Sequence, residues 1–171
     1  MGGLGVDFKI IGSDAAEIFD DQLSPYELCQ LNAHRKARAI AKKDPDALVL
    51  GADTLVFLDR EIFGKPRSLA EAERMLSRLQ GRTHQVVTGV SLMHLRASRE
   101  KIFAVATDVL FHPLTAKQVR YYLAKIKPLD KAGAYAIQDH GELIISEIAG
   151  SYSNVVGLPM ERLRHELETW N

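Results

Sequence analysis

The same start signal recurs three times along this chain, each time just ahead of a helix-forming stretch. Ser24-Pro25-Tyr26-Glu27 supplies a capping hydroxyl, a proline at the first helical position and a carboxylate three residues after the cap. Ser68-Leu69-Ala70-Glu71 and Thr115-Ala116-Lys117-Gln118 repeat the hydroxyl and the carboxylate or amide at the same spacing. In such a box each partner satisfies a backbone N–H that the first helical turn leaves open. The signals predict helices running to about residues 43, 79 and 126. Between them lie runs rich in Val, Leu and Phe that read as strands, at 47–58, 85–94 and 102–111. The last two flank a polar turn at 97–100 and predict an antiparallel hairpin. Residues 6–11 and 142–148 alternate as strands do, and Pro159 opens a final amphipathic helix to about residue 170. Helices interleaved with hairpins and crossovers predict an α/β domain with a mixed, twisted sheet and flanking helices. One domain is the expectation for 171 residues.

Charge and cysteine usage narrow the function classes. Lys+Arg and Asp+Glu number 22 each, which argues against a nucleic-acid polymer held by broad phosphate attraction but leaves room for a local anion site. The single Cys29 excludes an internal disulfide and a cysteine zinc cluster, so a reduced, cytoplasmic setting is expected. No apolar run approaches the ~20 residues that cross a bilayer, and no secretory signal is visible.

Several polar residues stand against apolar surroundings. Leu48-Val49-Leu50 reads as a buried strand ending in Gly51-Ala52, followed by Asp53 and Thr54. A carboxylate there either lines the crevice of an α/β sheet or caps a turn. Cys29, Ala33, Lys36, Ala37 and Ile40 share one helical stripe. Lys36 then either snorkels from the edge of that face or crosses it to meet a phosphate. Lys65, between Gly64 and Pro66, is either plainly solvated or turned toward the same crevice. In LDKAGAYAIQDHG (129–141), small residues surround Lys131 and Gln138. They make either a tightly packed loop or a backbone that approaches a ligand, with the glutamine fork reading a base edge. The Ser151–Asn154 hydroxyls either contact a ligand or cap the next turn. Neither common nucleotide-loop signature is present, and the six histidines show no metal spacing.

Four segments, GADTLVFLDREIFGKP, LQGRTHQVVTGV, DKAGAYAIQDHG and GSYSNVVGLP, occur in the order found in the Maf family of nucleoside triphosphate pyrophosphatases. From about Leu4 to Leu167 the chain resembles that family. The resemblance implies a fold akin to the inosine triphosphate pyrophosphatases, often homodimeric. It implies cleavage of a nucleoside triphosphate between its α and β phosphates, with help from a divalent cation, Mg²⁺ or Mn²⁺. Carried over by position, Asp53 resembles the family's general base and a metal ligand, and Glu17 its early metal-binding glutamate. Lys36, Lys65 and Lys131 resemble phosphate or structural partners, and Thr54 and Gln138 residues that help choose the base. The word GADT points to the dTTP/UTP branch. Members of the family open with a strand and an S-x-S-P-R-R loop, whereas MGGLGVDF matches the segment after that loop. A single domain shortened at its N-terminus relative to the family is therefore expected. The alternative function is an impaired or non-catalytic nucleotide-binding regulator linked to cell division.

Overall fold

The first helix forms where its start signal stands. In the computed structural model, which describes residues 7–59 and 61–170, α1 spans Pro25–Ala41. Ser24 Oγ accepts the Glu27 N–H at 3.3 Å, and the Glu27 carboxylate accepts the Ser24 N–H at 2.8 Å, which closes the box. Helices α2 (Leu69–Leu79) and α3 (Ala116–Leu123) follow. Thr115 and Gln118 make the full reciprocal box. Ser68 makes half of one: its hydroxyl caps Glu71, but the Glu71 carboxylate takes the N–H of Arg67 instead. Helix α3 stops at Leu123, short of residue 126, and Lys127, the residue before Pro128, lies outside helical backbone at φ −103° and ψ 89°.

Five strands build an open sheet in the order β2-β1-β3-β4-β5, with β1 Val49–Leu58, β2 Glu61–Phe63, β3 Thr83–His94, β4 Arg99–Phe111 and β5 Ile145–Ala149. Strand β2 pairs antiparallel with β1, setting Val56 opposite Phe63, and β5 pairs antiparallel with β4. Strands β3 and β4 form the expected hairpin, its turn closed by the Ser98 N–H on the Leu95 carbonyl at 3.0 Å. The chain ends with α4 (Tyr152–Val156) and α5 (Met160–Glu168). With helices flanking an open sheet, the α/β architecture is as expected.

Three expectations need correction. Residues 7–11 form no strand, because no neighbouring strand pairs with them, and Ile10 is 83% exposed; Val6 lies outside the described residues. The strand anticipated from 142 begins at Ile145, since residues 141–143 make a 3₁₀ turn after His140 enters left-handed backbone at φ 57°. And β1 does not end at Gly51-Ala52: as the run at 47–58 predicts, it is one strand of ten residues, Val49–Leu58, so Asp53 sits mid-strand.

The chain forms two compact units. The first holds the described residues up to Thr54, with Thr88–Val105 and the residues from Gly157 onward. Here α1 lies directly on strand backbone. A Cβ at Gly51 would meet the Ala33 carbonyl at 2.4 Å, and one at Gly89 would meet the Cys29 carbonyl carbon at 2.3 Å. Only glycine allows so close an approach. Ala37, Ile40 and Ala41 pack on Val49 and Met93, so the predicted stripe is the buried one. Alternation turns Leu50, Val90 and Leu92 to the other face, where Phe103 and Leu163 cover them.

The second unit holds Leu55–Val87 and Ala106–Val156. Its core joins Leu76 and Leu79 of α2 and Val119 and Tyr122 of α3 to Val56, Val86, Val109 and Phe111 of the strands. Tyr135 and the wholly buried His84 complete it, edge-to-face with Phe111 and with each other.

Candidate active site

Val49, Gly51 and Asp53 point to one face of β1, the face that α1 covers. The first two positions are apolar or bare, and the third presents a carboxylate that is only 7% exposed. A buried carboxylate is costly unless it is paired and hydrogen-bonded. Asp53 is both. Lys36 Nζ donates to its Oδ1 at 2.6 Å, and Asn32 Nδ2 donates to its Oδ2 at 3.3 Å. The same ammonium donates to Glu17 Oε1 at 2.8 Å. One lysine thus bridges two carboxylates, one on a rigid strand and one on the irregular segment before α1.

The lysine crosses its apolar stripe rather than snorkelling away: its side chain is 24% exposed and its head is engaged on both sides. Burial works to depress the Lys36 ammonium, but the bonds and charges of Asp53 and Glu17 together outweigh it and hold it above its ordinary value. Burial also raises the Asp53 carboxyl above the usual carboxylate range. Lys36 pulls it back, Glu17's charge adds to the rise, and the Asn32 amide opposes it. The outcome is a lysine that stays charged and a carboxylate with a raised affinity for protons, which is the property a general base needs.

Thr54 is not part of this cluster. As the next residue of β1 it faces the opposite way, and its hydroxyl lies 2.9 Å from that of Thr88. Lys65, Lys131 and Gln138 belong to the second unit. There the Gly133 N–H donates to the Gly64 carbonyl at 3.1 Å, which stitches the Gly64-Lys65-Pro66 bend to the turn that follows Lys131. Gly133 fits because its φ is 68° and a Cβ would press on Val56 at 3.0 Å. Lys65 and Gln138 are exposed, and Lys131 pairs with Asp130 at 3.1 Å. Tyr122 Oη both donates to the Ala136 carbonyl and accepts its N–H, anchoring the loop two residues before Gln138. Ser151 takes the capping role: its Oγ accepts the Asn154 N–H at 3.1 Å at the start of α4.

Sequence reasoning missed Asn32. Its signal was available, since an amide one turn before Lys36 sits on the side of α1 that packs inward. Among the described residues no three His, Cys, Asp or Glu side chains converge to hold a metal ion. The donor set is two carboxylates meeting at one cationic point. No helix among the described residues is long and apolar enough to cross a membrane.

The site is a buried, lysine-paired carboxylate in the middle of β1, on an open sheet flanked by helices. The chain belongs to the Maf family: the family model described as Maf-like protein matches residues 1–170. A protein of Akkermansia muciniphila is 45% identical over 156 residues, covering 91% of this chain and 82% of the relative. One of Symbiobacterium thermophilum is 46% identical over 159 residues, covering 93% and 81%. One of Bacillus velezensis is 42% identical over 168 residues, covering 98% and 88%. All three relatives carry the name dTTP/UTP pyrophosphatase.

Proposed function

We propose that this chain hydrolyses dTTP and UTP to the nucleoside monophosphate and pyrophosphate. The observation that carries the reading is the Lys36 bridge between Asp53 and Glu17, because splitting a phosphoanhydride calls for a proton acceptor beside fixed positive charge. The names of the relatives support the substrate class. In this reading Asp53 orients the attacking water and takes its proton, and the Lys36 ammonium faces the charge that spreads over the phosphoryl oxygens. Asp53 and Glu17 fit a divalent cation of the Mg²⁺ or Mn²⁺ type, since such ions bind through one or two carboxylates plus substrate phosphate. When bound, that cation supplies neutralisation of phosphate charge. Lys65, Lys131, Gln138 and Thr54 are kept as substrate-contact candidates, each to be tested by single substitution. A cytoplasmic location follows from the substrate, and a homodimer, which the family resemblance implies, is tested by sedimentation equilibrium: a monomer mass at micromolar protein ends it.

The reading is tested with a nucleotide panel assayed for pyrophosphate with added Mg²⁺ or Mn²⁺. The expected result is turnover of dTTP and UTP above the purine triphosphates, abolished by chelator; release from none of them contradicts the reading. One observation favours a second reading, a non-catalytic nucleotide-binding regulator: both oxygens of Asp53 are already engaged, by Lys36 and by Asn32. That reading predicts thermal stabilisation by nucleotide without pyrophosphate release.

A further inference from the structure

Asn32 occupies a position where an amide is hard to explain by packing. It lies inside α1 and is 1% exposed. Asparagine is a weak helix former, and a buried amide is unfavourable unless it is satisfied. It is satisfied three times: Oδ1 accepts the Ile18 N–H at 2.8 Å, while Nδ2 donates to the Ile18 carbonyl at 3.1 Å and to Asp53 Oδ2 at 3.3 Å. Only one orientation of the amide allows this. Reversed, the NH₂ would face the Ile18 N–H, and the oxygen would face both a carbonyl and a carboxylate.

The pair of bonds to Ile18 replaces the pairing that this segment lacks, since residues 7–20 are neither helix nor strand. Other ties from the segment to α1, or to Lys43 just past its end, are longer or more exposed. Ser13 Oγ reaches the Lys36 carbonyl at 3.5 Å, Arg35 Nε the Ala16 carbonyl at 3.3 Å, and Lys43 the exposed Asp14 at 3.7 Å. Glu17 immediately precedes Ile18, so the Asn32 tie fixes the backbone beside it, while the Lys36 ammonium holds the Glu17 carboxylate itself at 2.8 Å.

We propose that Asn32 is a positioning residue: its carboxamide fastens the segment carrying Glu17 to the strand carrying Asp53, and so sets the two carboxylates on either side of the Lys36 ammonium. The inference rests on the proposed pyrophosphatase reading and adds to it the part that fixes the second carboxylate. Asn32 contacts the Asp53 carboxylate at 3.3 Å and acts on the reaction through Asp53 and Glu17, with no role of its own toward water or nucleotide.

Two substitutions dissect the tie, with circular dichroism confirming that each variant folds. Asn32→Ala removes all three bonds. Asn32→Asp keeps an acceptor for the Ile18 N–H, loses both donors and sets a like charge beside Asp53. Amide hydrogen exchange at Ile18 is read without reference to activity, and kcat and KM are read with UTP. For Asn32→Ala we expect Ile18 exchange to quicken by about fivefold or more and kcat to fall on the order of 10–100-fold with KM changed less. For Asn32→Asp we expect Ile18 to stay protected while kcat still falls. Wild-type exchange and kcat in Asn32→Ala overturn the proposal, and so does a freed Ile18 amide with unchanged kcat. Wild-type protein without turnover overturns the functional reading and the catalytic half of this proposal together, while exchange at Ile18 still decides whether Asn32 holds the segment.

Discussion

At the scale of single residues, the account turns on how a buried carboxylate is made tolerable. Lys36 is the largest compensation Asp53 has, so Lys36→Met leaves the carboxylate with the Asn32 amide and a repelling Glu17. Because the lysine is partly exposed, the expected cost is about 2 kcal/mol, below the range for a fully buried pair. Asp53→Asn in the same chain should recover part of that loss. A double-mutant cycle by urea unfolding checks it: coupling of about 1 kcal/mol or more is expected, and strict additivity means the pair is not energetically linked. His84 makes a separate prediction. It is fully buried, bonded through Nε2 to Tyr135 Oη at 2.8 Å, and its Nδ1 has no hydrogen-bond partner among the described residues. Burial lowers its pKa from 6.5 to about 4, against a smaller pull from Asp108. The folded state therefore resists protonation that the unfolded chain accepts. The stabilisation is complete above pH 6.5 and is lost as pH falls toward 4. At about 1.4 kcal/mol per pH unit, the gap amounts to about 3 kcal/mol. Denaturant titrations at pH 7 and pH 4 should show His84→Gln losing less stability than wild type across that interval; equal losses would place the acid sensitivity elsewhere.

At the scale of elements, the closest packing is between α1 and the backbone of β1 and β3. Gly51→Ala and Gly89→Ala each force a methyl into helix backbone that cannot retreat as a flexible side chain would. Overpacking of this kind costs about 1–3 kcal/mol or more, so each variant should melt well below wild type. An unchanged melting temperature would mean that α1 does not rest where it is described. The helices were legible because their caps are local chemistry: Ser24, Ser68 and Thr115 each meet a backbone N–H three residues on. The stripe from Cys29 to Ile40 was legible for the same reason, since period and residue size suffice. Residues 7–11 misled because alternation states only that a segment suits a sheet, and no strand among the described residues pairs with it. Helix α4 was missed because Tyr152–Val156 is five residues long, too short for a period to show.

At the scale of the whole molecule, the sequence carried the identities of the charged residues better than their company. Asp53 and Lys36 were legible as polar residues on apolar faces, and their meeting follows from Gly51 and Gly89 lowering α1 onto the sheet. Thr54 was carried over from the family resemblance as a residue that helps choose the base, and strand alternation sends its side chain to the face opposite Asp53. Asn32 stayed hidden because its role depends on Ile18, fourteen residues away in a segment without regular structure. Ligand binding is a property of the complete protein: excess of a UTP analogue with a non-hydrolysable α,β bridge, with Mg²⁺, should raise the melting temperature in proportion to the logarithm of its concentration, and an unmoved transition would exclude binding to the folded state. The most direct test of the central claim is pyrophosphate release from UTP by wild type and by Asp53→Asn, with unfolding curves recorded for both. The account predicts a folded variant whose turnover is lower by on the order of 10²–10⁴-fold; a folded Asp53→Asn variant that releases pyrophosphate at the wild-type rate would contradict it.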